Sequence, residues 1–414
     1  MTVRNLYAAL LALNLVGFSV VASLANSLGV LATPYAITMR AIVLGLSCAL
    51  LVMAVMRNYT AFSKNYFLLF FLLFWMAYIL RLYYETSFRP SLLKDDPEEY
   101  WIWAVGTCLV PALALLVKVK NEAFETAYRW SLLFLLFSSC LVLFSGKSSS
   151  LSSSGIIQDI GRFNTESLNP ITIGHIGLSL MLLFIWSFLQ HSKGLSIKKR
   201  MLVFAGILLG IYLVISSASR GPFATFFVVI FFYLLSVNFK RTWKPIFLFL
   251  VLVAVGFFLA VHLEDSGRFS AVSRIESAFS GDDMAVSNRQ VSYSGAWQQF
   301  LGSPLLGDGL EEKVTGFYPH NVILESFMAT GVVGGIAFIS LLTFGLVCSY
   351  KLLKCKIDSG WVALVFVQYA MAAQFSGAIY NSTIMWTFLA ATISCYYGSN
   401  RRLNFSSVKV FKRS

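Results

Sequence analysis

The 414-residue chain is 57% hydrophobic and only 12% charged, its mean hydropathy is +0.74, and its formal net charge is +13. Soluble domains carry about 25% charged residues, so this composition excludes an ordinary soluble protein. Apolar runs of roughly 20 residues recur along the chain, which is the length that crosses a hydrocarbon core about 30 Å thick. The runs are continuous rather than alternating, which excludes a closed β-barrel.

The apolar runs predict an all-α polytopic membrane protein with about twelve transmembrane helices and one large loop outside the membrane. The run after Arg4 has no convincing small-residue cleavage site and is interpreted as the first helix rather than as a signal peptide. The predicted helices cover approximately 5–26, 36–56, 65–83, 100–117, 128–145, 170–190, 201–218, 222–238, 245–262, 322–350, 360–378 and 380–398.

These helices divide the chain into four parts. Residues 1–262 hold helices one to nine, and residues 263–321 form the large loop. Residues 322–398 hold helices ten to twelve, and residues 399–414 form a basic cytoplasmic tail. The apolar run that begins at residue 322 is longer than one span, so we expect its first turns to stand outside the bilayer.

The distribution of basic residues predicts the orientation. Placing both termini in the cytoplasm puts most of the 32 Lys and Arg residues on the inner side, as the positive-inside rule requires. The net positive charge is therefore interpreted as a topology signal and as a contact with anionic lipid. No basic patch interleaves with aromatic residues in a soluble segment, so nucleic-acid binding is not expected.

Arginine dominates the basic residues on the predicted outer face. Its planar guanidinium binds phosphate oxygens through two parallel hydrogen bonds, so this bias favours a phosphate-bearing ligand there. Chance and the snorkelling of long side chains at the interface are the simpler explanation. The outer arginines are Arg40, Arg81, Arg89, Arg162, Arg220, Arg268, Arg274 and Arg289.

Cysteine and histidine give no metal or disulfide signal. The six cysteines fall in predicted spans or at their cytoplasmic ends, so we expect no disulfide in the large loop. The four histidines are far apart in sequence and form no cluster with metal-ligand spacing. Acidic side chains of the outer loops could supply oxygen ligands, but nothing specific predicts a metal or a cofactor.

Two shorter outer loops carry candidate anion ligands. Arg162 lies just before a predicted membrane helix, although a single loop arginine is more often simply solvated. Arg220 lies in a short turn between two apolar helices, where a charge is costly and usually faces the protein interior. The small residues 216–219 allow close helix packing, and Pro222 suits the first turn of the next helix. We interpret Arg220 as a buried anion ligand near a positive helix end, with a snorkelling arginine as the alternative.

The large loop contains an amphipathic helix over residues 288–301. Ser287 or Asn288 is its expected N-cap, and Arg289 then lies near its positive end. The apolar stripe is expected to serve packing or interfacial anchoring rather than a cofactor, because its spacing is that of one helix face. The stripe consists of Tyr293, Trp297, Phe300 and Leu301. The turn at 307–309 (Gly-Asp-Gly) is neither a P-loop nor a dinucleotide motif.

His320 opens the next membrane helix together with Asn321. A lone histidine is most often structural, but this one lies at a predicted interface beside an arginine-bearing loop. Its ordinary pKa near 6.5 suits a general base at neutral pH. Tyr318 and Asn321 are expected to support it, and Arg81 or Lys313 could reach the same pocket. The glycines within 331–335 are expected to permit tight packing against another helix.

The residues above resemble the signature of the O-antigen ligase/polymerase superfamily. The similarity rests on Arg289, Trp297, the string 303–309 (Ser-Pro-Leu-Leu-Gly-Asp-Gly), His320-Asn321, Leu324, Gly331 and Gly334, with 219–221 (Ser-Arg-Gly) on the preceding outer turn. The pattern is most similar to the lipopolysaccharide O-antigen ligases of the Gram-negative inner membrane. The resemblance implies a GT-C-like membrane fold with a periplasmic active site.

The resemblance also implies a reaction and its participants. A finished glycan is transferred from undecaprenyl diphosphate to a sugar hydroxyl of the lipid A–core oligosaccharide, with inversion and without nucleotide sugar or metal. The family's roles fall on His320 as general base and on Arg220 and Arg289 as diphosphate ligands. Arg162 is a further diphosphate ligand in a less distinctive sequence context.

Other activities remain open from the sequence. O-antigen polymerases and protein O-oligosaccharyltransferases share the same motifs, so the ligase assignment within the superfamily is the finer hypothesis. A flippase or transporter of polyprenyl-linked glycan belongs to a different class and suits a buried arginine among many helices. The sequence contains no internal repeat and no matched pair of broken helices of the kind that transporters show.

Overall fold

A computed structural model describes residues 2–56, 66–148, 163–191, 194, 196–237 and 284–411. This part of the chain is almost entirely helical. The α-helices are α1 (Val3–Ser27), α2 (Thr33–Met56), α3 (Tyr66–Phe88), α4 (Pro97–Trp101), α5 (Val110–Leu115), α6 (Asn121–Ser145), α7 (Pro170–His191), α8 (Ile197–Ser216), α9 (Arg220–Ser236), α10 (Met284–Gly302), α11 (Val322–Lys354), α12 (Trp361–Ser376) and α13 (Thr383–Phe411).

Shorter elements connect these helices. A π-helix over Ile102–Leu109 joins α4 to α5, and 3₁₀ turns occupy Pro90–Leu92 and Asp358–Gly360. Two two-residue strands, β1 (Lys147–Ser148) and β2 (Phe163–Asn164), pair in antiparallel register with Lys147 opposite Asn164.

Seven of the described helices are long and apolar enough to cross a membrane, which supports a multi-pass membrane protein. They are α1, α2, α3, α6, α7, α8 and α11. The count of twelve spans and the periplasmic side of the large loop stay predictions, and the predicted span 245–262 lies outside the described residues. The predicted tail from residue 399 does not begin with a break in the helix, because α13 continues to Phe411.

The chain forms two compact units. The first contains the start of α1, the second part of α2, and then α3 to α5 and α10 to α13. The second contains the remainder of α1, the first part of α2, and α6 to α9 from Phe124 onward.

Aromatic packing between α3 and α11 forms the core of the first unit. The two helices are antiparallel, because Phe67 meets Phe344 at one end while the Tyr78 hydroxyl meets the Glu325 carboxylate at the other. Between these ends, the rings of Phe74 and Phe338 lie 5.1 Å apart. Trp386 of α13 stacks on Phe74 at 5.5 Å, and the rings of Phe74, Phe338 and Trp386 are buried. Large aromatic side chains therefore hold α3, α11 and α13 together.

α11 is broken at Gly331, and the segment that follows α10 is inserted into the break. Gly331 has φ +65° and ψ −165°, a conformation that side-chain-bearing residues rarely adopt. A Cβ atom at this position would overlap the carbonyl of Leu305. Gly307, also with positive φ, lies against the backbone of Ala329 and Thr330 in the same way. Because Gly307 and Gly331 have no side chain, the backbone of the inserted segment can contact the backbone of α11.

The inserted segment takes over the hydrogen bonds that the break releases. In an unbroken helix the Val332 N–H would donate to the Met328 carbonyl. Here the Val332 N–H donates to the Pro304 carbonyl at 2.7 Å, and the Met328 carbonyl accepts from the Asp308 N–H at 2.8 Å. Both backbone groups of the break thus remain satisfied, as buried backbone groups must be.

Side chains of the preceding turn lie close to the two glycines that follow the break. Among the described atoms, the nearest to a Cβ built at Gly334 belong to Thr330, and those nearest at Gly335 belong to Phe327. Both neighbours are residues of α11 itself. Gly331 itself contacts the inserted segment, and packing of these glycines against another helix stays a prediction.

A helix in the large loop is confirmed, but its start and its buried face differ from those of the amphipathic helix that was expected. α10 begins at Met284, so Ser287 and Asn288 lie within the helix and are not its N-cap. The buried positions on its second half are Ser292, Gly295 and Ala296, whereas Trp297 and Leu301 of the predicted stripe are exposed. Small residues face the protein because the Glu312 side chain lies against Gly295.

Close packing of α7 on α8 is the main feature of the second unit. A Cβ on Gly177 would lie 2.7 Å from the Gly210 carbonyl, and a Cβ on Gly210 would overlap Gly177 equally. Small residues at such crossings let helix backbones approach. The same close packing continues at the turn before α9, where Gly174 lies against the side chains of Ser217 and Pro222. The predicted close packing of the small residues 216–219 is confirmed.

The glycine at the break gives a first prediction. Gly331→Ala should destabilise the protein by at least about 1–3 kcal/mol, the usual cost of a positive-φ residue that is not glycine, because its Cβ also overlaps the Leu305 carbonyl. The apparent melting temperature of the purified protein in detergent measures the effect. Gly45→Ala is the matched control: Gly45 lies in α2 with nothing within 4 Å of its Cβ position. An equal loss in both variants would contradict the inferred role of the break.

Candidate functional site

All five N–H donors of Arg81 on α3 are used: three bind the inserted segment, one binds α11 and one binds Glu85 of α3 itself. Nε donates to the Ala329 carbonyl at 2.9 Å, and Nη2 donates to the carbonyls of Leu306 at 2.8 Å and Gly307 at 2.7 Å. Nη1 donates to the Asp308 carbonyl at 3.0 Å and to Glu85 at 3.2 Å. A guanidinium offers five donors in all. Arg81 therefore holds the segment in place and has no donor left for a ligand.

Further charges surround Arg81 on the side of the loop. Arg89 donates from Nη1 to the Asp308 carbonyl at 3.0 Å and to Glu85 at 3.3 Å. Lys313 forms an ion pair with the Asp308 carboxylate. Partial burial opposes ionisation of Asp308, but the Lys313 and Arg89 charges outweigh it and keep the pKa below its ordinary value. Lys313, which the sequence offered as a possible pocket residue, therefore helps to hold the loop.

A buried carboxyl, Glu311, lies on the other side of the same loop. Its Oε1 accepts a hydrogen bond from the Tyr100 hydroxyl. Tyr100 also contacts Tyr380, with ring centroids 4.7 Å apart. Burial is the main reason that the pKa of Glu311 rises to about 7, and the charge of the neighbouring Asp95 contributes to the rise. The carboxyl therefore exchanges its proton near neutral pH.

His320 is held in a strained position between the loop and α11. Its φ is +55°, a conformation that costs a residue other than glycine about 1–3 kcal/mol. Its ring stacks on Phe317 at 5.3 Å and meets Tyr318 edge-on at 4.6 Å. Nδ1 is buried and has no hydrogen-bond partner among the residues that the structure describes. The aromatic neighbours fix the ring, and the strain is of the kind found at functional sites.

Two cations act on the His320 imidazole. Burial above all, and then the positive charges of Arg289 and Lys94, lower its pKa to about 4. Lys94 itself lies over the Phe317 ring, with Nζ 3.6 Å from the centroid. The imidazole is therefore neutral at pH 7, and a neutral imidazole accepts a proton. The charge of Arg289 also acts on Tyr293, one turn along α10.

The residues that flank His320 support it in different ways. Asn321 is the N-cap of α11: its side chain accepts from the Leu324 N–H at 3.0 Å, and its amide reaches the Gln374 carbonyl at 3.5 Å. Burial and the carboxyls of Glu325 and Glu311 raise the pKa of Tyr318 to about 12, so its hydroxyl remains a donor. The prediction that Asn321 opens the helix is confirmed.

The two other predicted diphosphate ligands, Arg220 and Arg162, are not among the residues that the structure describes in the first unit. Arg220 is in the second unit, where it is the first residue of α9, directly after the N-cap Ser219 and a turn in which Ala218 has φ +44°. Pro222 is in the first turn of this helix, as predicted. Arg162 lies outside the described residues. The structure therefore brings His320, Tyr318, Asn321 and the charge of Arg289 together.

Sequence reasoning missed several residues of this site. Glu311, Tyr100 and Lys94 were not proposed, although all three bear on His320 or on its supporting loop. Lys94 and Asp95 follow a predicted span in a short polar stretch, and Glu311 directly follows the Gly-Asp-Gly turn. The polar residues in these short stretches could have been singled out from the sequence. Nothing in the sequence indicated that the stretch at 94–100 lies against the loop at 311–320.

Metal binding finds no support in the described part of the chain. No group of three or more His, Cys, Asp or Glu side chains there is arranged to hold a metal ion. None of the six cysteines forms a disulfide, and none lies near His320 in sequence.

The helices and the loop site define a multi-pass membrane protein with a neutral histidine beside an arginine. Residues 205–339 match the family model described as O-antigen ligase, which supports membership in the O-antigen ligase/polymerase superfamily. The match covers about a third of the chain and includes Arg220, Arg289, His320 and the break at Gly331. Members of this family are glycosyltransferase-like membrane enzymes. No curated protein matches the chain.

The donors of Arg81 give a second prediction. Arg81→Lys should lower the apparent melting temperature, because lysine has three donors for five acceptors and each lost charged hydrogen bond is worth roughly 1.5–3 kcal/mol. Arg89→Lys is the matched control, since Arg89 makes its contacts through Nη1 alone. Thermal unfolding of both purified proteins measures the difference. A smaller loss for Arg81→Lys than for Arg89→Lys would refute the anchoring role.

Proposed function

We propose that the protein is an O-antigen ligase. It transfers a glycan from undecaprenyl diphosphate to a sugar hydroxyl of lipid A–core oligosaccharide at the periplasmic face of the bacterial inner membrane. The observation that carries the proposal is a neutral, strained His320 next to the charge of Arg289, within the segment that matches the O-antigen ligase family. The family match supports lipid-linked glycan and lipid A–core as substrates in general.

Arg289 acts as the diphosphate ligand in this proposal. The donor leaves as a lipid diphosphate, so negative charge grows on its bridging oxygen in the transition state. A preorganised guanidinium stabilises that charge through charge-assisted hydrogen bonds. Arg220 and Arg162 stay predicted diphosphate ligands on the strength of the sequence. Arg81 is a positioning residue, because its five donors are already bound to the protein.

His320 acts as the general base. It removes the proton from the acceptor hydroxyl while the hydroxyl oxygen bonds to the anomeric carbon of the donor glycan. The bond from that carbon to the diphosphate oxygen breaks, and the lipid diphosphate departs with the electron pair. One displacement inverts the anomeric centre. No metal is needed, since the arginines supply the positive charge.

The charge of Arg289 also couples donor binding to the base. In the free protein that charge helps to depress the His320 pKa. A bound diphosphate would counter the charge of Arg289, so the His320 pKa would rise towards its ordinary value of about 6.5. A general base is most effective when its pKa lies near the working pH. Donor binding would therefore bring the His320 pKa closer to the working pH and make His320 a more effective general base.

The proposed roles predict the effect of two substitutions. His320→Ala should reduce glycan transfer by about 10²–10⁴-fold, the usual contribution of a general base. Arg289→Ala should reduce it by about 10²–10³-fold, the usual cost of one charge-stabilising group. Transfer from lipid-linked donor to lipid A–core by the purified protein is the measurement.

Gln290→Ala is the matched control for α10, because Gln290 is exposed on the same helix next to Arg289. It should leave transfer unchanged. Normal transfer by His320→Ala, in protein that inserts and melts like the wild type, would exclude His320 as the general base.

The coupling between donor and base predicts a shift in pH dependence. The acidic limb of kcat/KM reports the free protein and should lie near pH 4, where His320 becomes protonated. The acidic limb of kcat reports the donor-bound protein and should lie at higher pH. Steady-state rates from pH 3.5 to 8 in detergent measure both limbs. Coincident limbs would contradict the coupling, whereas loss of the difference in Arg289→Gln would support it.

The products separate the ligase from its relatives. An O-antigen polymerase joins repeat units on the lipid carrier, so it would elongate donor without any lipid A–core. A protein O-oligosaccharyltransferase would transfer to a polypeptide hydroxyl. A flippase forms no glycosidic bond with any of these acceptors. Purified protein incubated with donor and each acceptor in turn distinguishes the four activities.

A further inference from the structure

A group of large apolar side chains lies exposed on α10 and on the segment inserted into the α11 break. Trp297 and Leu301 of α10 are 50% and 59% exposed, and Leu305 and Leu306 are 69% and 77% exposed. We call Leu305 and Leu306 the apolar tip. Within this unit's described residues nothing covers the tip, although it stands outside every predicted span.

The backbone of the tip is fixed at a definite level along α11. The Leu305 carbonyl lies against Gly331, and the Leu306 carbonyl accepts from Arg81 Nη2 at 2.8 Å. From Gly331 to Lys351, α11 continues for 20 residues, which is about 30 Å at 1.5 Å per residue. That is the thickness of a hydrocarbon core. If Lys351 lies at one membrane surface, where lysine is favoured, the tip lies at the boundary of the opposite leaflet.

Exposed apolar stripes on the neighbouring helices reach the same level. On α11, Val333, Ile336 and Ile339 are exposed at helical spacing just after the break. On α3, Met76 and Leu80 are exposed just before Arg81, and Tyr83, Tyr84 and Phe88 are exposed beyond it. Apolar side chains on the outside of spanning helices face lipid. The tip therefore extends a lipid-facing surface without interruption.

The tip carries no charge that would oppose burial in lipid. Residues 303–307 are Ser-Pro-Leu-Leu-Gly. The nearest charges, Arg81, Asp308 and Lys313, are bound to the protein or to one another. The carbonyls of Pro304, Leu306 and Gly307 accept protein hydrogen bonds, so these backbone groups need no water. Satisfied backbone is the condition for irregular chain at membrane depth.

We propose that the apolar tip inserts into the acyl-chain region of the bilayer, so that membrane lipid is the partner of Leu305 and Leu306. Trp297 and Leu301 lie at the headgroup boundary beside it, where tryptophan is favoured. The loop site is thereby anchored both to α11 and to lipid. The inference goes beyond the proposed function and does not depend on it, because lipid contact can be measured without any reaction.

Site-directed spin labelling tests the insertion. Leu306→Cys is labelled in nanodiscs, in a background where Cys48, Cys140 and Cys355, the cysteines that are not buried, are serine. Relaxation by oxygen, which concentrates in lipid, is compared with relaxation by a water-soluble nickel chelate. Val333→Cys on the lipid-facing stripe is the lipid reference. Val314→Cys, on the same loop and 70% exposed, is the loop reference.

We expect the label at residue 306 to behave like the label at residue 333, with oxygen relaxation exceeding nickel relaxation. Two results would overturn the proposal. Relaxation by nickel at residue 306 as strong as at residue 314 would place the tip in water. Protection from both reagents would place it against protein, such as a second copy of the chain. All three substitutions replace exposed side chains, and unchanged melting temperatures would show that the fold is intact.

Discussion

The exchange of backbone hydrogen bonds at the α11 break is the constraint on which the loop site depends. A helix cannot be interrupted inside a membrane protein unless the released N–H and C=O groups find partners. Pro304 and Asp308 supply those partners to Val332 and Met328 at 2.7 Å and 2.8 Å. Gly307 and Gly331 permit the contact, since a Cβ at either would overlap the opposite backbone. The segment between α10 and α11 is thus tied to the helix at one end.

The second tie is the N-cap of α11, and His320 lies between the two. The Asn321 side chain satisfies the Leu324 N–H and fixes where the helix begins. The chain from Asp308 to Asn321 is therefore held at both ends, which allows His320 to keep a positive φ that a free loop would relax. Fixed ends also reduce the reorganisation that an active site would otherwise need during reaction.

The sequence predicted the local features of this arrangement and missed the non-local ones. Helical periodicity located α10, and the His-Asn pair located the start of α11, because both signals lie within a few residues. The prediction that Ser287 or Asn288 caps the helix was wrong, because α10 already begins at Met284. The fit of Gly307 against Ala329 and the use of Arg81 by carbonyls of residues 306–308 involve residues distant in sequence. No periodicity or spacing encodes such a pairing.

The cations around the site fall into two groups with different roles. Arg81 and Arg89 pair with Glu85 and loop carbonyls, and Lys313 pairs with Asp308, so these cations stabilise structure. Arg289 instead acts on the neutral imidazole of His320, where its positive charge opposes protonation. An anion bound there would relieve that repulsion and make the imidazole more basic. A cation used for structure cannot respond in this way, because its counter-charge is already in place. Of these four cations, Arg289 is therefore the one whose effect on His320 a bound diphosphate would change most.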